Sequence, residues 1–206
     1  MSTLAQLFPL RPTRLSFSRS NVNKYPNGIL FIGDSITAHP TASYPALIRL
    51  RNPNVKVNVL AKPGMTTDWM RKNLPKVSGS RFSRAYIYAG INDAFGNKPL
   101  QNAVDNVQAM ADTLRANGTE VFVVLGYEPE GFMDHNKMPT SRFIKRKTDF
   151  IPLISRYRQL QNLYAEKLKN VRIIPKFVLS PKMNFDGIHP IGSGQKVIAD
   201  VISRTL

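Results

Sequence analysis

Four short segments of this chain carry residue types that do chemistry. The first, Gly33-Asp34-Ser35-Ile36-Thr37, comes directly after the apolar run 28–32. Gly33 permits a tight turn there, which leaves a serine hydroxyl at the end of a strand; the same residues are also common in ordinary turns. The second, Ala61-Lys62-Pro63-Gly64, follows the run 55–60. A glycine at such a place lets a backbone N–H approach a ligand closely, or simply makes a turn. The third, Gly90-Ile91-Asn92-Asp93, follows 85–89. Asn92 brings a fixed neutral donor suited to a developing oxyanion, although Asn and Asp serve equally as helix N-caps. The fourth is Asp186-Gly187-Ile188-His189-Pro190. A carboxylate and an imidazole three residues apart in a turn can meet, and an imidazole so oriented is the usual general base for a serine. The chain has three histidines; His39 and His135 stand outside these segments and read as surface or loop residues.

The elements that must position these segments alternate along the chain. The continuous apolar run 28–32 reads as a strand buried on both faces; 55–60, with Lys56 and Asn58 alternating, 85–89, 121–125 and the short 171–174 read as four more strands. Helices are expected between them. Ser43 can cap one running to Leu50, and Thr66 or Thr67 one running toward Leu74. Residues 100–116 place Ala103, Val107, Met110, Ala111 and Leu114 on one face and stop at Asn117-Gly118. Residues 150–168 turn Leu153, Tyr157, Leu160 and Tyr164 inward, and 194–205 place Val197, Ile198, Val201 and Ile202 on a stripe. Trp69 falls in a helix and reads as a core residue. Five strands with intervening helices imply an α/β fold, with a mostly parallel sheet covered on both faces. Ligands of such sheets bind beyond the carboxyl ends of the strands, where the first three segments lie.

Composition narrows the chemistry. The 206 residues suit one domain, and the absence of cysteine removes thiolate nucleophiles and disulfide frameworks. No apolar stretch approaches the roughly 20 residues that span a bilayer, so no transmembrane segment is expected. The charge is unusual: 29 Lys and Arg against 13 acids, a formal +16. Such a surface attracts polyanions, whether nucleic acid, anionic lipid or acidic polysaccharide. Residues 1–27 form a separate unit with Arg11, Arg14, Arg19 and Lys24, six hydroxyl residues from Ser2 to Ser20, and no acid. That composition fits a mitochondrial or plastid presequence. It fits equally an ordered basic arm that docks on nucleic acid or on a large assembly such as a virion. The remaining unit is 28–206.

Taken in order, the four segments resemble the blocks of the SGNH hydrolase superfamily, also called GDSL esterases and lipases. GDSI matches the first block with isoleucine where leucine is commonest, Gly64 the second, GIND the third, and DGIHP the last. The resemblance covers 28–206. It implies a three-layer α/β/α sandwich of flavodoxin-like order and no metal or organic cofactor. Ser35 would be the nucleophile, His189 its general base and Asp186 the group that holds the imidazole. The backbone N–H groups of Ser35 and Gly64 and the Asn92 amide would form the oxyanion hole. The reaction implied is hydrolysis of a small-molecule or polymer-borne carboxylic ester through an acyl-serine. Gly96 and Pro99 after GIND look like the acyl-esterase, thioesterase and lysophospholipase branch, while other branches deacetylate sugars. The connection 126–148, with Phe132, Met133, Met138, Arg142, Lys145, Arg146 and Lys147, can wall the cleft or form a surface loop. The competing expectation is a structural or binding component that keeps this fold and docks through its basic surface.

Overall fold

Five apolar runs pair in parallel into one sheet. In the computed structural model the described residues are 27–39, 42–78, 81–96, 98–127, 147–184 and 188–206. The strands are β1 (Ile29–Gly33), β2 (Val57–Ala61), β3 (Arg84–Tyr88), β4 (Glu120–Val124) and β5 (Arg172–Ile174), in the spatial order β2-β1-β3-β4-β5. All four pairings are parallel. β1 is buried at every residue, as its unbroken apolar run requires. Burying Ile29, Leu30, Phe31 and Ile32 stabilises the fold by roughly 1.5–3 kcal/mol each. β2 is an edge strand with Val59 about half exposed, which accounts for its polar interruptions.

The helices are α1 (Tyr44–Arg51), α2 (Thr67–Asn73), α3 (Pro75–Ser78), α4 (Ile91–Phe95), α5 (Leu100–Ala116), α6 (Lys147–Lys167) and α7 (Gly192–Ser203). They pack in two sets, α1 with α7 and α2 through α6 with one another, which makes the sandwich three layers. The stripes expected on α5, α6 and α7 are the buried ones, with Ile154 added on α6 and Leu153, Val197 and Val201 only partly covered. Trp69 is partly buried against the core. No helix of the described residues is long and apolar enough to cross a membrane.

Several local expectations are corrected. Ser43 and Thr66 occupy N-cap positions but make no side-chain cap hydrogen bond. The GIND segment is a short helix, α4, whose N-cap position is Gly90, so neither Asn92 nor Asp93 caps it. The last helix begins at Gly192 rather than 194. Its glycines disguise it, yet a Cβ on Gly194 would stand 2.6 Å from the Met183 carbonyl. The helix start is therefore pressed against the 3-10 turn Pro181–Met183. The arm 1–27, apart from Asn27, and most of the connection 126–148 lie outside the described residues.

β1 lies between β2 and β3, where the winding of the sheet reverses direction. The carboxyl ends of these three strands therefore open into one crevice. Gly33 stands in register with Ala61 and Tyr88, so the first three chemical segments leave the sheet side by side.

Candidate active site

The chain leaves β1 through a turn that Asp34 organises. The Ala38 N–H donates to the Asp34 carbonyl at 2.9 Å, and the Ile36 N–H to Asp34 Oδ1 at 3.0 Å. Asp34 is buried, while Ser35 at the tip of the turn is half-buried. Ser35 Oγ lies 2.9 Å from His189 Nε2, a hydrogen bond between residues 154 apart in sequence. The predicted serine and histidine are thus brought together. Asp186 lies outside the described residues. His39, four residues after Ser35, is half-buried.

His189 directly precedes Pro190, which forms an antiparallel bridge with Asn184. Buried side chains hold the carbonyls on either side of His189. The Tyr127 hydroxyl donates to the Ile188 carbonyl. Gln195 Nε2 approaches the Pro190 carbonyl at 3.5 Å and donates at 3.0 Å to the Ile36 carbonyl, beside Ser35.

Gly64 is the third residue of the turn Lys62-Pro63-Gly64-Met65, in which the Met65 N–H donates to the Lys62 carbonyl at 3.3 Å. Its φ of 74° and the preceding proline are those of a type II turn, a conformation that glycine adopts without strain. A Cβ here would meet no atom within 4 Å, so the turn stands in open space and packing at Gly64 does not locate it. Hydrogen bonds to Met65 and Thr67 hold it instead. Asn92 Nδ2 donates to the Met65 carbonyl at 3.0 Å, using one of its two N–H bonds. Asp93 takes the Thr67 hydroxyl at 2.7 Å and the Thr67 N–H at 3.0 Å. Burial pushes the Asp93 carboxyl up, and the bonds from Thr67 oppose that shift. Asn106 of α5 then donates to Thr67 Oγ1 at 3.1 Å and to Asp68 Oδ1 at 2.8 Å, and accepts from Arg71. Two neighbouring residues of α4 are thereby clamped to the Gly64 turn at Met65 and to the start of α2 at Thr67.

Gly90 sits at φ 113°, and a Cβ there would lie 2.6 Å from the Tyr164 hydroxyl. Only glycine lets β3 turn into α4 so closely under α6. The sequence-based reading missed Asp93, Asn106, Tyr127 and Gln195. A faint signal was present: Asn106 and Gln195 are amides standing at stripe positions of α5 and α7, three residues from Ala103 and Ile198 respectively. Among the described residues no group of three or more His, Asp or Glu could hold a metal ion.

The electrostatics centre on Asp34. Burial pushes its carboxyl up to about 7, against the Ile36 N–H and the attraction of His189. The folded chain thus keeps this proton while the unfolded chain, near 3.8, gives it up. The unfolded state binds fewer protons between those values, so the contribution is full below about 4 and is lost as pH rises through about 7. Asp34→Asn keeps the acceptor for Ile36 and removes the titration. In urea unfolding, the wild type should lose of order 2–4 kcal/mol relative to Asp34→Asn between pH 4 and pH 8. Parallel stability curves for the two proteins would show that Asp34 ionises normally.

A parallel five-stranded α/β/α sandwich, with an SGNH set of residues at its carboxyl edge, defines a class of hydrolases. The chain belongs to the GDSL-like lipase/acylhydrolase family, which it matches over residues 31–197. Its fold is that of solved members of this class. The crystal structure of TesA superposes with a TM-score of 0.64 at 21% identity, covering 87% of this chain and 97% of that one. A putative lipolytic G-D-S-L protein from Desulfitobacterium hafniense DCB-2 gives 0.64 at 19%, covering 87% and 99%. Axe2, an acetylxylan esterase from Geobacillus stearothermophilus, gives 0.63 at 18%, covering 86% and 93%. No curated protein sequence matches the chain.

Proposed function

We propose that the protein is a serine hydrolase of carboxylic esters. The observation that carries this reading is the 2.9 Å contact between Ser35 Oγ and His189 Nε2 at the carboxyl end of β1. In the first step Ser35 Oγ attacks the ester carbonyl carbon while its proton passes to His189 Nε2. The carbonyl oxygen becomes an oxyanion, met by the N–H groups of Ser35 and Gly64 and the second amide N–H of Asn92. The intermediate collapses, His189 returns its proton to the leaving alcohol, and an acyl-serine remains. A water then gives His189 a proton and attacks the acyl carbon; as this intermediate collapses, the bond to Ser35 Oγ breaks, His189 returns the proton to Oγ, and the acid leaves. Asp186 orients and charge-stabilises the imidazole, on the strength of the DGIHP resemblance. Oxyanion donors of this kind act strongly because they are fixed before charge develops.

The substrate is an acyl or acetyl ester. Membership of a lipase/acylhydrolase family supports the class, and an acetylxylan esterase of the same fold supports its acetyl end. The test is a fluorophosphonate probe, which reports an activated serine without a known substrate, followed by a panel of p-nitrophenyl acetate, p-nitrophenyl octanoate and acetylated xylo-oligosaccharide. Labelling confined to Ser35 and turnover of at least one ester are expected. A folded protein that neither labels nor hydrolyses any ester would overturn the assignment in favour of a binding role for this fold.

A further inference from the structure

Ser35 and His189 belong to two turns that share no sequence neighbourhood, and a hydrogen bond between them needs their backbones to be held in register. Gln195 crosses the same gap one residue away. It is fully buried on α7, and its three polar contacts go to three different elements. Nε2 donates at 3.0 Å to the carbonyl of Ile36, the residue after Ser35. The same nitrogen faces at 3.5 Å the carbonyl of Pro190, the residue after His189. Oε1 accepts the Tyr44 N–H of α1 at 2.9 Å. An amide carries two N–H donors and one carbonyl, and here each has a partner, so the side chain has one orientation. On the preceding flank of His189 in the chain, Tyr127, also buried, donates its hydroxyl to the Ile188 carbonyl. The peptide bearing His189 is therefore held from both flanks, and one of the two holds extends to the Ser35 turn.

We propose that Gln195, with Tyr127 as its counterpart, is a positioning residue that sets the distance between Ser35 Oγ and His189 Nε2. The proposal rests on the serine-hydrolase reading above. Neither side chain reaches the reacting atoms; each acts through the backbone of the turn it holds. A displacement of about 1 Å in such a contact is enough to lower a rate by about 100-fold. The bridge between Asn184 and Pro190 ties the residue after His189 to Asn184, but it does not refer either of them to Ser35. Gln195 supplies that reference.

The test compares the full-length protein with Gln195→Met, which keeps length and removes all three polar contacts, and with Tyr127→Phe, which removes only a hydroxyl. Wild type is first labelled with fluorophosphonate. Its failure to label would sink the parent reading, whereas a labelled wild type isolates the present one. Gln195→Met should lower both kcat on p-nitrophenyl acetate and the labelling rate by about tenfold or more, with KM within about twofold. Tyr127→Phe should lower both by a smaller factor, and it carries the test alone should Gln195→Met not fold. The decisive measurement is a cycle with His189→Ala. In that background Gln195→Met should leave kcat unchanged while lowering Tm as much as it does in wild type. In an Asn92→Ala background the loss in kcat should multiply. A folded Gln195→Met or Tyr127→Phe with wild-type kcat, or an equal loss of kcat with and without His189, overturns the proposal.

Discussion

Ser35→Ala is expected to stop turnover of p-nitrophenyl acetate and to leave the fold standing. The hydroxyl makes one described hydrogen bond, to His189, and sits half-exposed at the tip of a turn held by Asp34 rather than by Ser35 itself. Removing it takes away the atom that forms the acyl-enzyme. Losses of roughly 10⁴–10⁶ in kcat accompany removal of such a nucleophile, with a small residue from binding and oxyanion stabilisation. The stability cost is of order 1 kcal/mol, that of one part-exposed hydrogen bond. Steady-state turnover and thermal unfolding, measured on one preparation, separate the two effects. Wild-type turnover in a folded Ser35→Ala protein would remove Ser35 from the mechanism.

Asn92→Ala should also give a large loss, and its form is diagnostic. One N–H of the amide is fixed on the Met65 carbonyl, which aims the other. If that second N–H meets the oxyanion, the bond is made mainly in the transition state. Then kcat should fall by roughly 10²–10³, about 3–4 kcal/mol of barrier, while KM stays within a few-fold. Asn92→Asp keeps the size, loses both donors and adds a negative charge beside a developing one, so it should be at least as damaging. A loss confined to KM would place Asn92 in ground-state binding instead.

Much of this arrangement was legible in the sequence because it depends on local pattern. The unbroken apolar run ending at Gly33 fixed a buried strand, and the strand fixed where Ser35 emerges. The resemblance of the ordered segments to the SGNH blocks implied the meeting of Ser35 and His189 that the structure places across the crevice. Strand ends moved by one or two residues, as at β2, where Val55 is buried without belonging to the strand. What was not legible is the support behind the site. Asp93 appeared as half of a possible cap, yet its partner is Thr67, 26 residues away on another helix. Asn106 and Gln195 bond to atoms 38 and 159 residues distant. A polar residue on an apolar stripe shows that a partner must exist, since a buried amide without one is costly. It does not show which partner, because that depends on how helices far apart in sequence pack.

The 154-residue separation between Ser35 and His189 has a kinetic consequence. Contacts of high sequence separation close late, because the loop entropy they cost is recovered only once the intervening elements have docked. Every strand precedes α7 in the chain, so none of the sheet's own pairings uses a residue of that helix. On the role proposed for Gln195, full turnover does wait on α7, because that helix carries the amide that spans the two turns. During refolding, return of activity would therefore time the seating of the last helix rather than growth of the β-structure. In the native ensemble, an opening that lifts α7 would break the Gln195 contacts to both turns and lower turnover.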